Sequence, residues 1–284
     1  MRRICVHHAG CPDGFSAAWA TWRGWGRDGE FIARGHEDRL RGQEVEDAFL
    51  AFVDIAPQNQ ELIELAEYAA HIVVIDHHVT ASTRLLRDPA VCDAVEEAGH
   101  ALHFDMQHSG AVLAWQHFQP DEPVPPLLAY VEDQDLWNWK LPESEAVNAA
   151  ISSYPHTFET WDALAQLSVS ELVQQGAPIL RAQRVEIDRA ARKAAPIVIG
   201  ESRLEAVNST TNRAQIGHIL AERALFGEPW GCVYRLEGTT VSATLYSIGD
   251  FDVGRIATSL GGGGHKNAAG FTVSLEDWLK DFAL

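Results

Sequence analysis

Three short apolar runs, residues 4–6, 49–53 and 72–75, constrain the fold of this chain more than any other feature. Between them lie stretches of helical character. Residues 14–22 are rich in Ala and Trp, and residues 58–70 carry Leu62, Ile63, Leu65, Ala66 and Ala69 on one side. Short apolar strands alternating with helix-length segments predict a mostly parallel sheet covered by helices. Residues 31–33 and 102–104 are weaker strand candidates, and helices are expected over 109–118, with Ser109 as N-cap, and over 127–131. Residues 170–195, interrupted only by Pro178, read as a long charged connector helix, with a second α/β block after it. The expected fold class is therefore α/β, a mostly parallel N-terminal domain over 1–169 followed by a smaller mixed α/β domain over 196–284.

Composition excludes several classes. With 46% hydrophobic and 22% charged residues in 284, the chain is globular rather than disordered or fibrous. A net charge of −18 argues against tight binding to long duplex DNA, which needs a basic footprint. The four cysteines, 5, 11, 92 and 232, form no C-x-x-C pair, so no zinc knuckle or disulfide framework is suggested. Reduced thiols and the lack of an apolar run of about 18 residues predict a cytoplasmic protein away from membranes. Gly24-Trp25-Gly26-Arg27-Asp28-Gly29 fits G-x-G-x-x-G but does not join a strand to a helix, so no dinucleotide site is expected.

The chemistry sits at the strand ends. His7, His8 and Asp13 follow the first run, Asp54 the next, and Asp76-His77-His78 the third. Ligands of open α/β sheets bind beyond the carboxyl ends of the strands. Crowded carboxylates repel one another unless a cation lies among them, and Asp with neutral His suits divalent ions such as Mn²⁺. One such Asp alone is ordinarily a turn residue; three strand ends of this composition point to a metal site. Near the C-terminus, Gly261-Gly262-Gly263-Gly264-His265 could turn its N–H groups into an anion-binding nest, with His265 and Lys266 as further donors, or could cap a helix. Trp137 and Trp139 could stack on a base or fill a core or domain interface.

Asp76-His77-His78 after a strand, together with Gly-Gly-Gly-Gly-His-x-x-Ala-Ala-Gly-Phe at 261–271, resembles the DHH phosphoesterases and their DHH-associated C-terminal domain. The resemblance runs from His8 to Phe271. It implies a two-domain hydrolase with its active site in the cleft between domains and two divalent ions, typically Mn²⁺. On the matching positions it implies His8, Asp13, Asp54 and His77 as metal ligands, with Asp54 bridging. It implies His78 at the phosphate, with Asp76 behind it. The fourth-motif carboxylate falls on Asp133, with Asp135 as the alternative. Gly262, Gly263, Gly264 and His265 match the substrate loop. Cys11 stands where the family has an Asp, which shifts that position towards Zn²⁺ or weaker Mn²⁺ binding. Tyr246 stands where an Arg often meets the substrate phosphate, and Arg255 is a candidate for the missing charge. The implied activity is hydrolysis of phosphoester bonds in short single-stranded oligonucleotides or small nucleotides, without stable duplex binding, by a monomer or homodimer. The alternatives are a RecJ-like single-strand exonuclease and a nucleotide-binding regulatory module whose metal centre has decayed.

Overall fold

Alternation within the first strands decides the architecture. Ile4 and Val6 project to one face and Cys5 to the other; Leu50 and Phe52 oppose Ala51 and Val53; Ile72 and Val74 oppose Val73 and Ile75. Both sets are buried, so this sheet must be covered on both sides. In a computed structural model, which describes residues 1–26, 28–35 and 38–282, it is. Arg27 of the rejected glycine motif and the last two residues of the expected C-terminal domain lie outside the described residues.

The chain divides into two compact units, Met1–Leu180 and Arg181–Leu284. The first contains β1 (Arg3–His8), α1 (Pro12–Trp25), β2 (Glu30–Arg34), β3 (Phe49–Val53), α2 (Asn59–Tyr68), β4 (His71–Asp76), α3 (Val79–Leu86), α4 (Pro89–Glu97) and β5 (Ala101–Phe104). Then follow α5 (Gly110–Phe118), α6 (Pro126–Asp135), α7 (Ser144–Ile151), α8 (Phe158–Leu164) and α9 (Val169–Ala191), the last crossing the division with Pro178 inside it. The sheet order is β2-β1-β3-β4-β5, and all four pairings are parallel. One face packs on α1, α5, α6 and α7 through Trp19, Trp115, Leu128 and Val147. The other packs on α2, α3 and α4 through Leu62, Leu65, Leu85 and Val91. Strand order reverses between β1 and β3, the place where an open α/β sheet leaves a crevice for ligands.

The second unit is a mixed sheet. Its strands are β6 (Ala195–Ile199), β7 (Ser202–Asn208), β8 (Trp230–Glu237), β9 (Thr240–Ser247), β10 (Gly263–Gly264) and β11 (Ala268–Ser274). Its helices are α10 (Arg213–Arg223), α11 (Val253–Ser259) and α12 (Leu275–Asp281). The order is β10-β11-β9-β8-β7-β6, antiparallel except for β7 and β8. Trp230, Leu245, Phe271 and Trp278 fill one side, and Ile216, Leu220, Val233 and Tyr246 the other. Among the described residues no helix is long and apolar enough to cross a membrane.

Candidate metal centre

The crevice at the β1/β3 reversal receives side chains from four chain segments. His8 ends β1, and Cys11 and Asp13 open α1. Asp54 follows β3 with a left-handed backbone (φ 56°), a conformation Asp tolerates better than most residues. Asp76 ends β4, with His77 and His78 directly after it. Asp135 is the last residue of α6.

Asp54 faces two groups of donors. Its Oδ2 lies 3.5 Å from His8 Nδ1 and 3.6 Å from Cys11 Sγ, which are 3.4 Å apart. Its Oδ1 lies 3.1 Å from His77 Nε2. The same Nε2 stands 3.5 Å from Asp135 Oδ2 and 3.8 Å from Asp13 Oδ2. His8, Cys11 and Asp54 therefore converge on one point; Asp13, His77 and Asp135 converge on another. Each set could hold a divalent cation.

Charge supports that reading. Burial and the charges of Asp54 and Asp135 push the Asp13 carboxyl well above the ordinary range. Burial also works against ionised Asp54, but hydrogen bonds from His77 and His8 outweigh it and hold its carboxyl well below that range. For His77, burial lowers the pKa, yet the Asp54 hydrogen bond and the Asp135 charge lift it to about 9. Burial and the carboxylates of Asp54 and Asp13 keep the Cys11 thiol well above its ordinary value. Asp76 is 1% exposed, and its Oδ2 is buried without a hydrogen-bond partner. Its other oxygen accepts the backbone N–H of His77 (2.8 Å) and meets His78 Nδ1 (2.7 Å). Three converging carboxylates and an orphaned buried oxygen are the donor set a divalent ion fits.

Two glycines permit the close packing. A Cβ on Gly14 would stand 2.8 Å from His8 Cβ, and one on Gly110 would stand 2.7 Å from Asp54 Oδ1. Gly110 was not singled out in the sequence, where one glycine in the first turn of a helix carries no signal. Asp13 also serves α5: its Oδ2 and Oδ1 accept the N–H groups of Gly110 (2.8 Å) and Ala111 (3.0 Å). Ser109 occupies the expected N-cap position, but its hydroxyl makes no cap bond, because Asp13 has taken these N–H groups.

The preference for Asp133 over Asp135 is corrected by the geometry. Asp133 Oδ1 and Oδ2 accept the N–H groups of Lys140 (2.9 Å) and Leu141 (3.2 Å), and its carbonyl accepts those of Asn138 and Trp139. It is the anchor of a tight loop in which Trp137 and Trp139 both adopt positive φ, 55° and 52°, with their rings 5.1 Å apart, edge to face. Both are half-buried and belong to neither core cluster of the first unit.

The glycine run, Tyr246 and Arg255 of the second unit each have defined local partners. Gly261 and Gly262 donate their N–H groups to Thr258 and Ala257, closing α11, and His265 donates to Ala268. Gly263 and Gly264 pair with β11. The glycine run thus closes α11 and leads into a tight hairpin, and the Lys266 ammonium pairs with Asp250 at 2.7 Å. Tyr246 is 6% exposed and packs under Gly217 and His218 of α10, in the core rather than at a phosphate. Arg255 is 88% exposed and leans on Asp252 of its own turn (3.3 Å).

Residues 205–283 match the family model of the DHHA1 domain. An uncharacterised protein of Acanthamoeba polyphaga mimivirus is 25% identical over 292 residues, an alignment covering 95% of this chain and 67% of that protein. Among solved structures, RecJ of Thermus thermophilus in complex with Mn²⁺ is similar with a TM-score of 0.51 at 17% identity, over 98% of this chain and 50% of RecJ. The pGpG-specific phosphodiesterase PggH of Vibrio cholerae aligns at TM-score 0.47 and 13% identity, over 99% of this chain and 96% of PggH.

Proposed function

Since the chain carries a DHHA1 domain and has the fold of RecJ, we propose that it is a DHH-family phosphoesterase. It hydrolyses phosphoester bonds of short oligonucleotides or small nucleotides with the help of divalent ions. The observation that carries this reading is Asp54, buried at the strand-order reversal with one oxygen towards each donor group. Ions held by His8, Asp13, Asp54, His77 and Asp135 would supply a polarised phosphoryl group and a water acidic enough to act as a nucleophile near neutral pH.

The remaining work falls to the chain's own groups. Asp76 Oδ1 fixes the orientation of the His78 ring through Nδ1. Burial lowers the pKa of His78, but the Asp76 charge and hydrogen bond raise it to about 9. An imidazole held in place as a donor is suited to negative charge growing on a phosphoryl oxygen. The tryptophan pair beside Asp135 offers faces on which a base could stack, and the net charge of −18 disfavours long polyanions. Both support small, base-bearing substrates, with Mn²⁺ as the first ion to try.

The test is a turnover panel with purified full-length chain and Mn²⁺: short RNA, short DNA, a nucleoside bisphosphate, cyclic and linear dinucleotides, pyrophosphate and a plain aryl phosphodiester. Hydrolysis of one nucleotide class, lost in Asp54→Asn and His77→Ala, is expected. Silence across the panel by folded, metal-loaded protein would overturn it in favour of a binding module. Degradation of long single strands in preference to short ones would point to an exonuclease.

A further inference from the structure

The two donor groups around Asp54 differ in chemical softness. One offers nitrogen, sulfur and oxygen from His8, Cys11 and Asp54; the other offers the His77 nitrogen with oxygens of Asp13, Asp54 and Asp135. Cys11 is not a stray thiol near the centre. It is the N-cap of α1, and its Sγ accepts the Gly14 N–H at 3.2 Å, which fixes it towards His8 and Asp54. The three donor atoms form a nearly equilateral triangle with edges of 3.4, 3.5 and 3.6 Å. Tetrahedral zinc has bonds of about 2.3 Å to sulfur and about 2.0–2.1 Å to nitrogen and oxygen, which place such ligands roughly 3.3–3.6 Å apart. The triangle matches the ligand spacing on one face of such a tetrahedron. The other group, one nitrogen among three carboxylate oxygens, lacks any soft donor and suits Mn²⁺ or Mg²⁺.

We propose that the centre is mixed: His8, Cys11 and Asp54 hold a thiophilic ion, Zn²⁺ among the common ones, and Asp13, Asp54, His77 and Asp135 hold an oxygen-preferring ion such as Mn²⁺. This rests on the reading of the cluster as a metal centre and adds that its two positions choose different metals. Binding at the first position releases the Cys11 proton to solvent and forms a metal–thiolate bond; no oxidant or reductant takes part.

The test uses metal-free full-length chain titrated with Co²⁺ as a spectroscopic substitute for Zn²⁺. One equivalent is expected to raise a thiolate-to-cobalt charge-transfer band in the near ultraviolet. One equivalent of Zn²⁺ should abolish the band, while roughly a 100-fold excess of Mn²⁺ should leave it, as the Irving–Williams order and a soft ligand require. With Zn²⁺ in place, electron paramagnetic resonance should report one further Mn²⁺ per chain. Cys11→Asp, checked for folding by its melting temperature, should lose the band, still bind two ions, and show a Zn²⁺-over-Mn²⁺ preference lower by roughly 10-fold or more. Two bound ions without a sulfur band, or Mn²⁺ displacing the first Zn²⁺, would overturn the proposal while leaving the phosphoesterase reading intact. Absence of any bound ion would overturn both. A sulfur band in a protein that hydrolyses nothing would sustain the mixed centre and reject the enzyme.

Discussion

At the scale of single residues, the centre separates two carboxylates that look alike in the chain. Asp133 and Asp135 sit on the last turn of α6, two positions and about 200° apart around the helix axis. Asp135 faces His77; Asp133 turns away and holds the loop behind it. Asp135→Asn should therefore cut hydrolysis by about 100-fold or more and leave the melting temperature within a few degrees. Asp133→Ala should do the reverse first, losing about 2–3 kcal/mol of stability as two backbone N–H groups lose their acceptor. Thermal melts read beside initial rates check both, and equal effects on the two quantities in both variants would refute the distinction. Gly110→Ala tests the packing itself: its methyl must displace Asp54, so activity should fall by at least about 10-fold with α5 still formed by circular dichroism. The ligands at strand ends were legible in the sequence because position after a strand dictates where a side chain emerges. The choice between Asp133 and Asp135 was not, because it depends on how far α6 continues before it turns.

At the scale of elements, a buried ion pair and a buried histidine decide how sheets and helices hold together. Arg34 closes β2 and pairs with Glu61 of α2 in a two-bond fork of 2.6 and 3.1 Å, each side chain only 3% exposed. Glu61 also accepts the N–H groups of Leu40 and Gln58. Removing one partner strands the other charge, so Glu61→Ala should cost about 3–5 kcal/mol in urea unfolding, whereas Arg2→Ala, breaking an exposed pair, should cost under about 1 kcal/mol. In the second unit, burial beside Tyr246 lowers the His218 pKa to about 4 from its ordinary 6.5. A histidine kept neutral by folding contributes stability above pH 6.5 that disappears as pH falls to about 4. The 2.5-unit gap is worth roughly 3 kcal/mol. His218→Phe should flatten the fall in stability between pH 6.5 and 4; an unchanged slope would show that His218 is not its source. The second unit was also where elements were hardest to read. A two-residue strand such as β10 has no periodicity, and the glycines before it served the end of α11 rather than an open loop. Tyr246 lay in a strand whose inward face only the packing of α10 revealed.

At the scale of the whole molecule, the fold class followed from the alternation of strands and helices, and its two-unit build is visible in the separate cores. The ligands proposed for the two positions run from His8 to Asp135, within the first unit. Chelation should thus lower the melting of that unit. An ion at about 100 times its Kd contributes about 2.7 kcal/mol, a shift of several degrees in calorimetry. A thermogram indifferent to chelator would count against any resident ion. The carboxylate of Asp13 is shared between this centre and the start of α5, 97 residues away along the chain. An ion that draws on those oxygens must take electron density from the hydrogen bonds to Gly110 and Ala111. The amide resonances of these two residues are therefore a native gauge of occupancy: their proton shifts should move upfield as a diamagnetic ion such as Mg²⁺ is added, reporting the filling of the centre from the backbone of a helix that supplies none of the proposed ligands.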